Sequence, residues 1–333
     1  MRKWWLLAAL AALVAGVGVG AALRFEETVP GSHEAAAHRA GNAAQATAAR
    51  QAESVGAAEA RERQRRARRQ RRSSRFTLRP APTDPPVHVE FASNPRAGIL
   101  FDVDTGEVLW ERHPDRRLPI ASLTKMLTAL IIVERHRPGE MVEITPQAVA
   151  FEGSGVGVLP EGEEVRLEAL LRGLLLVSGN DAAIALAQHD AGMVDFVERM
   201  NRWRRRLGLR CSHFTSPHGL QDEGNYSCPR DLATLARADL AERRVARIVG
   251  ADHDRFKFPV EGGYLDLYNN NPFIRVGTPG ITGLKTGYTD AAGRCYVTTA
   301  RQGDRHLGVV LLHSPNPLDQ VPALLRAGFN AER

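Results

Sequence analysis

At 333 residues, with 43% hydrophobic and 25% charged side chains, the chain has a globular composition and enough length for a sizeable core, which excludes a fibrous or wholly unstructured protein. Its formal charge of +6 is local: residues 61–75 hold nine Arg against one Glu, so the remainder is slightly negative and offers no nucleic-acid footprint. Three cysteines without C-x-x-C spacing and 11 histidines without an H-E-x-x-H pair argue against zinc fingers and metallopeptidases, so no metal or cofactor is expected.

In chain order, Met1-Arg2-Lys3 leads into 20 uncharged residues, Trp4 to Leu23, long enough to span a bilayer. They end in small residues, Val19-Gly20-Ala21-Ala22, that a signal peptidase accepts. Residues 1–23 therefore read as a cleaved signal or an N-terminal anchor in the inner membrane. Either sends the rest of the chain to the periplasm or the outer face of the cytoplasmic membrane. Residues 24–86 have few large apolar side chains and are expected to form a disordered Ala/Arg-rich linker. Pro80, Pro82, Pro85 and Pro86 close it as a stiff boundary. The Arg run is a solvated spacer or a contact for anionic headgroups or wall polymers.

A folded domain is expected over 87–330. Ala97–Val103 and Glu107–Arg112 read as strands around an Asp104-Thr105-Gly106 turn, with Asp102, Asp104 and Glu107 as hairpin-turn acids. The run Met126–Val133 is apolar on every face and predicts a buried helix. Residues 142–159 read as irregular and Gly-rich. Leu167–Val177 predicts a second buried helix, and a further helix resumes at Asp181, a good cap residue. Helices follow at Asp195–Leu207 and Arg230–Leu240. The pattern then turns to strands at Phe256–Val260, Leu284–Thr289, Cys295–Ala300 and His306–His313, and ends in a helix at Val321–Phe329. Strands, helices, strands and a helix imply an α+β fold: one sheet built from both ends of the domain, with a helical subdomain inserted. Cys211 and Cys228 can pair in an oxidising compartment, leaving Cys295 outside the bridge; buried thiols are the alternative. His213, His218 and His253 read as turn or surface residues.

Three short motifs carry chemistry. Ser122 and Lys125 are three residues apart at the start of the first buried helix, hence on one face. A lysine desolvated there loses basicity and, when neutral, can take a proton from the neighbouring hydroxyl. Such a pair arises by chance about once in a chain of this length. However, only four lysines (Lys3, Lys125, Lys257, Lys285) occur among 44 Lys+Arg, and Lys can deprotonate whereas Arg cannot. Ser178-Gly179-Asn180 falls between two helices, on a turn facing a cleft. Lys285-Thr286-Gly287 lies in a strand bracketed by Gly283 and Gly287, where glycine permits close approach of a peptide laid along the strand.

Together these motifs, with the flanking LPIASLTKMLT (118–128), LLVSGNDAA (175–183), PHGLQDEGNYSCPRD (217–231) and GLKTGYTDAAG (283–293), resemble the serine-type D-alanyl-D-alanine carboxypeptidases, the low-molecular-mass penicillin-binding proteins. The resemblance covers about residues 87–330. It implies a penicillin-binding/β-lactamase-like fold, an antiparallel sheet flanked by helices. It implies hydrolysis of the terminal D-alanine of peptidoglycan stem peptides through an acyl-enzyme on Ser122, with β-lactam antibiotics as inhibitors. Lys125 is then the acylation base and Ser178 the proton relay to the leaving amine. Asn180 orients the substrate amide or Lys125, Lys285 sets the field, Thr286 binds the terminal carboxylate, and the backbone N–H groups of Ser122 and Tyr288 form the oxyanion hole. The C-terminal β-domain and amphipathic anchor of many relatives are not expected, which favours attachment through the N-terminus. A D,D-endopeptidase keeps the site and changes the bond. A β-lactamase needs a Glu/Asn pair on a loop, whose nearest match, Glu198 to Asn201, falls in a predicted helix. A non-catalytic wall-binding protein does not require all the motif residues.

Overall fold

A computed structural model describes residues 75–220 and 223–331; the expected anchor at 1–23 and residues 24–74 of the expected linker lie outside them. In chain order the elements are β1 (Ala97–Asp102), β2 (Val108–Arg112), β3 (Leu118–Pro119), a 3₁₀ turn (Ala121–Leu123), α1 (Thr124–Arg135), β4 (Met141–Glu143), α2 (Pro146–Val149), β5 (Glu164–Arg166), α3 (Leu167–Leu176), α4 (Asn180–Asp190), α5 (Met193–Leu207), β6 (Tyr226–Ser227), α6 (Pro229–Ala241) and α7 (Arg243–Val249). They continue with β7 (His253–Lys257), β8 (Tyr264–Tyr268), α8 (Pro272–Arg275), β9 (Ile281–Thr289), β10 (Gly293–Gln302), β11 (Arg305–Ser314) and α9 (Pro317–Asn330).

The main sheet is antiparallel, in the order β2-β1-β11-β10-β9. The two chain-distant halves of the domain meet where β1 pairs with β11, Ile99 opposite Val310. Strand alternation divides the sheet into two apolar layers. Ile99, Phe101, Val297, Val310 and Leu312 face the inserted helices, while Leu100, Leu307, Val309 and Leu311 pack with Val321 and Leu324 of α9. All six residues of β1 are consequently buried, the pattern of a strand covered on both faces.

Between β2 and β9 lie the helices that hold the site. α1 is buried from Thr124 to Ile132, as its all-round apolar run predicts. α5 buries only Phe196, Met200, Trp203 and Leu207, one face of an otherwise Arg-rich helix, and ends on Gly208 in the left-handed region. A disulfide joins Cys211 to Cys228, whose Cα atoms are 5.9 Å apart; Cys295 is buried, its Sγ 3.5 Å from the Ala292 carbonyl oxygen.

The structure revises several sequence expectations. Packing on the domain starts before Val87: Leu78 is buried and the Arg79 N–H donates to the Gly106 carbonyl. The first strand after the helices is His253–Lys257, and it pairs with β8 in a separate ribbon rather than with the main sheet. Pro259 cannot donate to a ladder, and Gly262 and Gly263, both at positive φ, turn the chain back. The segment 142–159 contains β4 and α2 as well as irregular chain. α4 is capped by Gly179, not Asp181. The Asp181 carboxylate instead accepts from the Val156, Gly157 and Ala182 N–H groups, fixing the loop that precedes α3.

Candidate active site

Ser122 sits in the 3₁₀ turn between β3 and α1, half-buried, one residue after Ala121 at φ +49°. Two glycines pack closely against this turn, and a side chain at either would crowd it. Gly219 has φ +81°, and a Cβ there would lie 2.1 Å from the Ala121 carbonyl oxygen. Gly287 of β9 lies against the other side, where a Cβ would be 3.0 Å from the Ser122 nitrogen.

Lys125, one turn into α1, has no exposed surface. Its Nζ is 3.1 Å from Ser122 Oγ, 2.7 Å from Asn180 Oδ1 and 2.8 Å from the His218 carbonyl oxygen. Burial pushes its pKa well below the usual lysine value. The charge of Lys285 adds to this and Asp181 opposes it. A neutral amine has two hydrogens and one lone pair. The two oxygens that can only accept, Asn180 Oδ1 and His218 O, take the hydrogens, which leaves the lone pair for the hydroxyl hydrogen of Ser122. The arrangement can therefore draw a proton from Ser122 and supply a nucleophile.

Ser178 occupies the bend between α3 and α4 at φ +63°, a conformation that costs a non-glycine residue about 1 kcal/mol or more. Its hydroxyl is buried without a hydrogen-bond partner among the described residues. Asn180, two residues on, extends its amide nitrogen to the Glu152 carbonyl at 3.4 Å, so one side chain ties α4 both to Lys125 and to the loop after α2.

The third motif lies on β9, which pairs with β10 alone and so forms an edge of the main sheet. Lys285 and Gly287 are buried on one face of the strand, whereas Thr286 is partly exposed and the Tyr288 side chain is 62% exposed. The Tyr288 hydroxyl donates to Asp290. The Lys285 amine donates to the Thr286 carbonyl at 2.9 Å; burial lowers its pKa to about 7. An edge strand with exposed N–H and C=O groups can pair with an extended peptide.

Direct hydrogen bonds thus join Ser122, Lys125 and Asn180, and packing brings Gly287 against the same turn. His218 lies in the 216–219 turn, as expected, but not at the surface: it is 2% exposed, and its carbonyl holds Lys125. Its ring lies 4.5 Å from Phe151, and burial, then the Lys125 charge, lowers its pKa to about 4. The sequence signal beside it is Gly219, which takes the positive φ of this turn. Asp102 does act as a turn acid, accepting from the Asp104 and Thr105 N–H groups. Glu198 and Asn201 are structural parts of α5: Glu198 pairs with Arg202, and Asn201 Nδ2 donates to the Val197 and Phe214 carbonyls.

Residues 85–316 match the Peptidase S11 family, described as D-alanyl-D-alanine carboxypeptidase. The chain is 32% identical over 250 residues to the D-alanyl-D-alanine carboxypeptidase DacF of Bacillus subtilis, covering 72% of this chain and 64% of the relative. It is 36% identical over 223 residues to DacA of Escherichia coli, covering 63% and 53%. The chain thus spans about half to two thirds of the length of these relatives. A crystal structure of a D-alanyl-D-alanine carboxypeptidase from Mycobacterium tuberculosis superposes with a TM-score of 0.70 at 31% identity, over 76% of this chain and 97% of that one.

Proposed function

The chain belongs to the Peptidase S11 family, and from that premise we propose that it is a penicillin-sensitive serine D,D-carboxypeptidase that removes the terminal D-alanine of peptidoglycan stem pentapeptides. The observation that carries this reading is the three-way coordination of Lys125 Nζ by Ser122 Oγ, Asn180 Oδ1 and the His218 carbonyl.

In this reading Ser122 attacks the carbonyl between two D-alanines while its proton passes to neutral Lys125. The developing oxyanion is held by the N–H groups of Ser122 and Tyr288. The substrate strand pairs along β9, with its terminal carboxylate at Thr286 under the field of Lys285. Ser178, whose hydroxyl has no partner among the described residues, passes a proton to the departing amine. Water then hydrolyses the ester, completing a ping-pong cycle. A β-lactam enters the same path and its acyl-enzyme is released slowly. Enzyme and substrate meet outside the cytoplasm. The apolar segment at residues 4–23 and the Cys211–Cys228 disulfide both suit export to an oxidising compartment. In this reading attachment to the inner membrane is through the N-terminal segment; among the described residues no helix is long and apolar enough to cross a membrane.

Digestion of purified muropeptides, read by mass spectrometry with Ser122→Ala as control, tests the proposal. Loss of one alanine from the pentapeptide monomer supports it. Conversion of cross-linked dimer to monomers without that loss makes the protein an endopeptidase instead.

A further inference from the structure

Helices α1 and α4 run parallel. Their N-terminal ends meet at the Lys125–Asn180 hydrogen bond and their C-terminal ends at Arg135–Asp190, 2.6 Å. About 15 Å from Lys125 along α1, the C-terminal ends gather a second polar cluster that the proposed chemistry does not use. His136, just past α1, stands between two carboxylates, with Nδ1 2.7 Å from Glu140 Oε2 and Nε2 2.9 Å from Asp190 Oδ1. His189, in the last turn of α4, brings Nε2 to 3.3 Å from the same Glu140 oxygen. The ligand atoms of His136, Glu140 and His189 all lie within 4.8 Å of one another, and the three residues are partly exposed.

These are the donor types of a zinc site with two imidazoles and one carboxylate. Bonds of about 2.0–2.2 Å in tetrahedral geometry set neighbouring ligand atoms roughly 3.3–3.5 Å apart. The His189–Glu140 pair already has that spacing, and the His136–Glu140 pair needs to open by about half an ångström to reach it. The surroundings are built as well. Asp190 has a fully buried side chain, held by Arg135 and by Arg199 at 3.1 Å, and it faces His136 Nε2. A carboxylate on one ring nitrogen fixes the tautomer that leaves the other for a cation. A divalent ion on Nδ1 leaves the Nε2–H bond to Asp190 in place. The C-terminal ends of two helices also add partial negative charge. Arg135 and Arg199 are engaged by Asp190 and Arg244 by Glu168, while the Arg137 N–H donates to the other Glu140 oxygen.

We propose that His136, Glu140 and His189 bind one divalent transition-metal ion of the zinc class, with water in the fourth position, bracing the two helices whose opposite ends carry Lys125 and Asn180. No short sequence motif marks this cluster, because His136 and Glu140 come from one loop and His189 from a helix 49 residues beyond Glu140.

The test uses the full chain, stripped with chelator, then titrated with Zn²⁺ by calorimetry and with Co²⁺ by visible absorption. The wild type is expected to bind one equivalent more tightly than any other, with the ligand-field bands of a tetrahedral site, and Zn²⁺ is expected to raise its Tm. His189→Ala and Glu140→Gln, both at partly exposed positions, should lose that equivalent and the Tm shift while penicillin acylation of the metal-free protein stays unchanged. Asp190→Asn keeps all three ligands and should weaken binding roughly 10–100-fold. Equal stoichiometry and affinity in wild type, His189→Ala and Glu140→Gln would overturn the proposal, because the ion would then sit on other histidines of the chain.

Discussion

Helices α1 and α4 bury polar groups at both ends, but the two ends are built in opposite ways. At the N-terminal end Lys125 is fully buried and meets only neutral oxygens, and Ser178 Oγ meets nothing among the described residues. At the C-terminal end buried Asp190 meets Arg135, Arg199 and His136. A buried amine hydrogen-bonded only to neutral oxygens lowers its cost by giving up its proton, which suits a base; a buried carboxylate met by several cations is held in place, which suits a clamp. The same depth of burial thus gives reactivity at one end and cohesion at the other.

The sharpest break of this comparison is at Ser122. Ser122→Ala is expected to abolish labelling by penicillin and to slow pentapeptide hydrolysis by at least roughly 10³-fold; labelling that persists at another residue would refute the assignment. Lys125→Arg keeps a cation in place but removes the group that can be neutral. Acylation, followed by stopped-flow or gel labelling, should slow by roughly 10²–10⁴-fold, and near-normal acylation would mean that Lys125 works as a charge instead.

A weaker effect is expected from the wall behind Ser122. Gly219 and Gly157 have similar φ, +81° and +80°, but a Cβ on Gly219 meets Ala121 O whereas one on Gly157 meets nothing within 4 Å. Gly157→Ala should cost about 1–2 kcal/mol, the conformational penalty alone. Gly219→Ala should cost more and also slow acylation at least tenfold, because Ala121 must move and Ser122 follows. Equal effects in denaturant titrations would show that the close approach does not position the serine.

Much of this end of the molecule is readable in the sequence, because the site is built from three local motifs on rigid elements. S-x-x-K on an apolar helix fixes Ser122 and Lys125, and a strand with glycines fixes Lys285. What pairs with Lys125 is less readable. Asn180 sits in a recognisable triplet, but the His218 carbonyl reaches Lys125 only through the fold, and backbone acceptors leave no side-chain pattern. The same holds for Asp181, a good cap by type, which is diverted to the Val156 and Gly157 N–H groups by a loop distant in sequence. The β7–β8 ribbon illustrates a further limit: strand propensity predicts extended chain at 256, while pairing partner and register are tertiary.

The pH profile separates the two lysines. Lys285, lowered to about 7, is charged below that pH and neutral above it. Lys125 must be neutral to act as base, so its titration raises kcat/KM with pH. Lys285 must be charged to favour the substrate carboxylate, so its titration lowers kcat/KM above about 7. Lys285→Arg stays charged throughout and should remove the falling limb, leaving a profile that only rises. An unchanged falling limb in that variant would assign it to another group.

The smallest effect on activity is expected at the clamp. Asp190→Asn, measured with chelator present so that only the ion pairs are read, removes the charge shared by Arg135, Arg199 and His136. Breaking a fully buried pair costs about 3–5 kcal/mol. Here the side chains of Arg135 and Arg199 are 43% and 18% exposed, so water relieves part of the loss, and about 1–3 kcal/mol is expected in denaturant titration. Penicillin acylation by the folded variant should stay within about twofold of wild type, since each helix holds its own N-terminal geometry through Lys125, Asn180 and the His218 carbonyl. A tenfold loss of acylation would show that the two ends are coupled through the helices, and that the clamp sets the reach of Lys125 to Ser122.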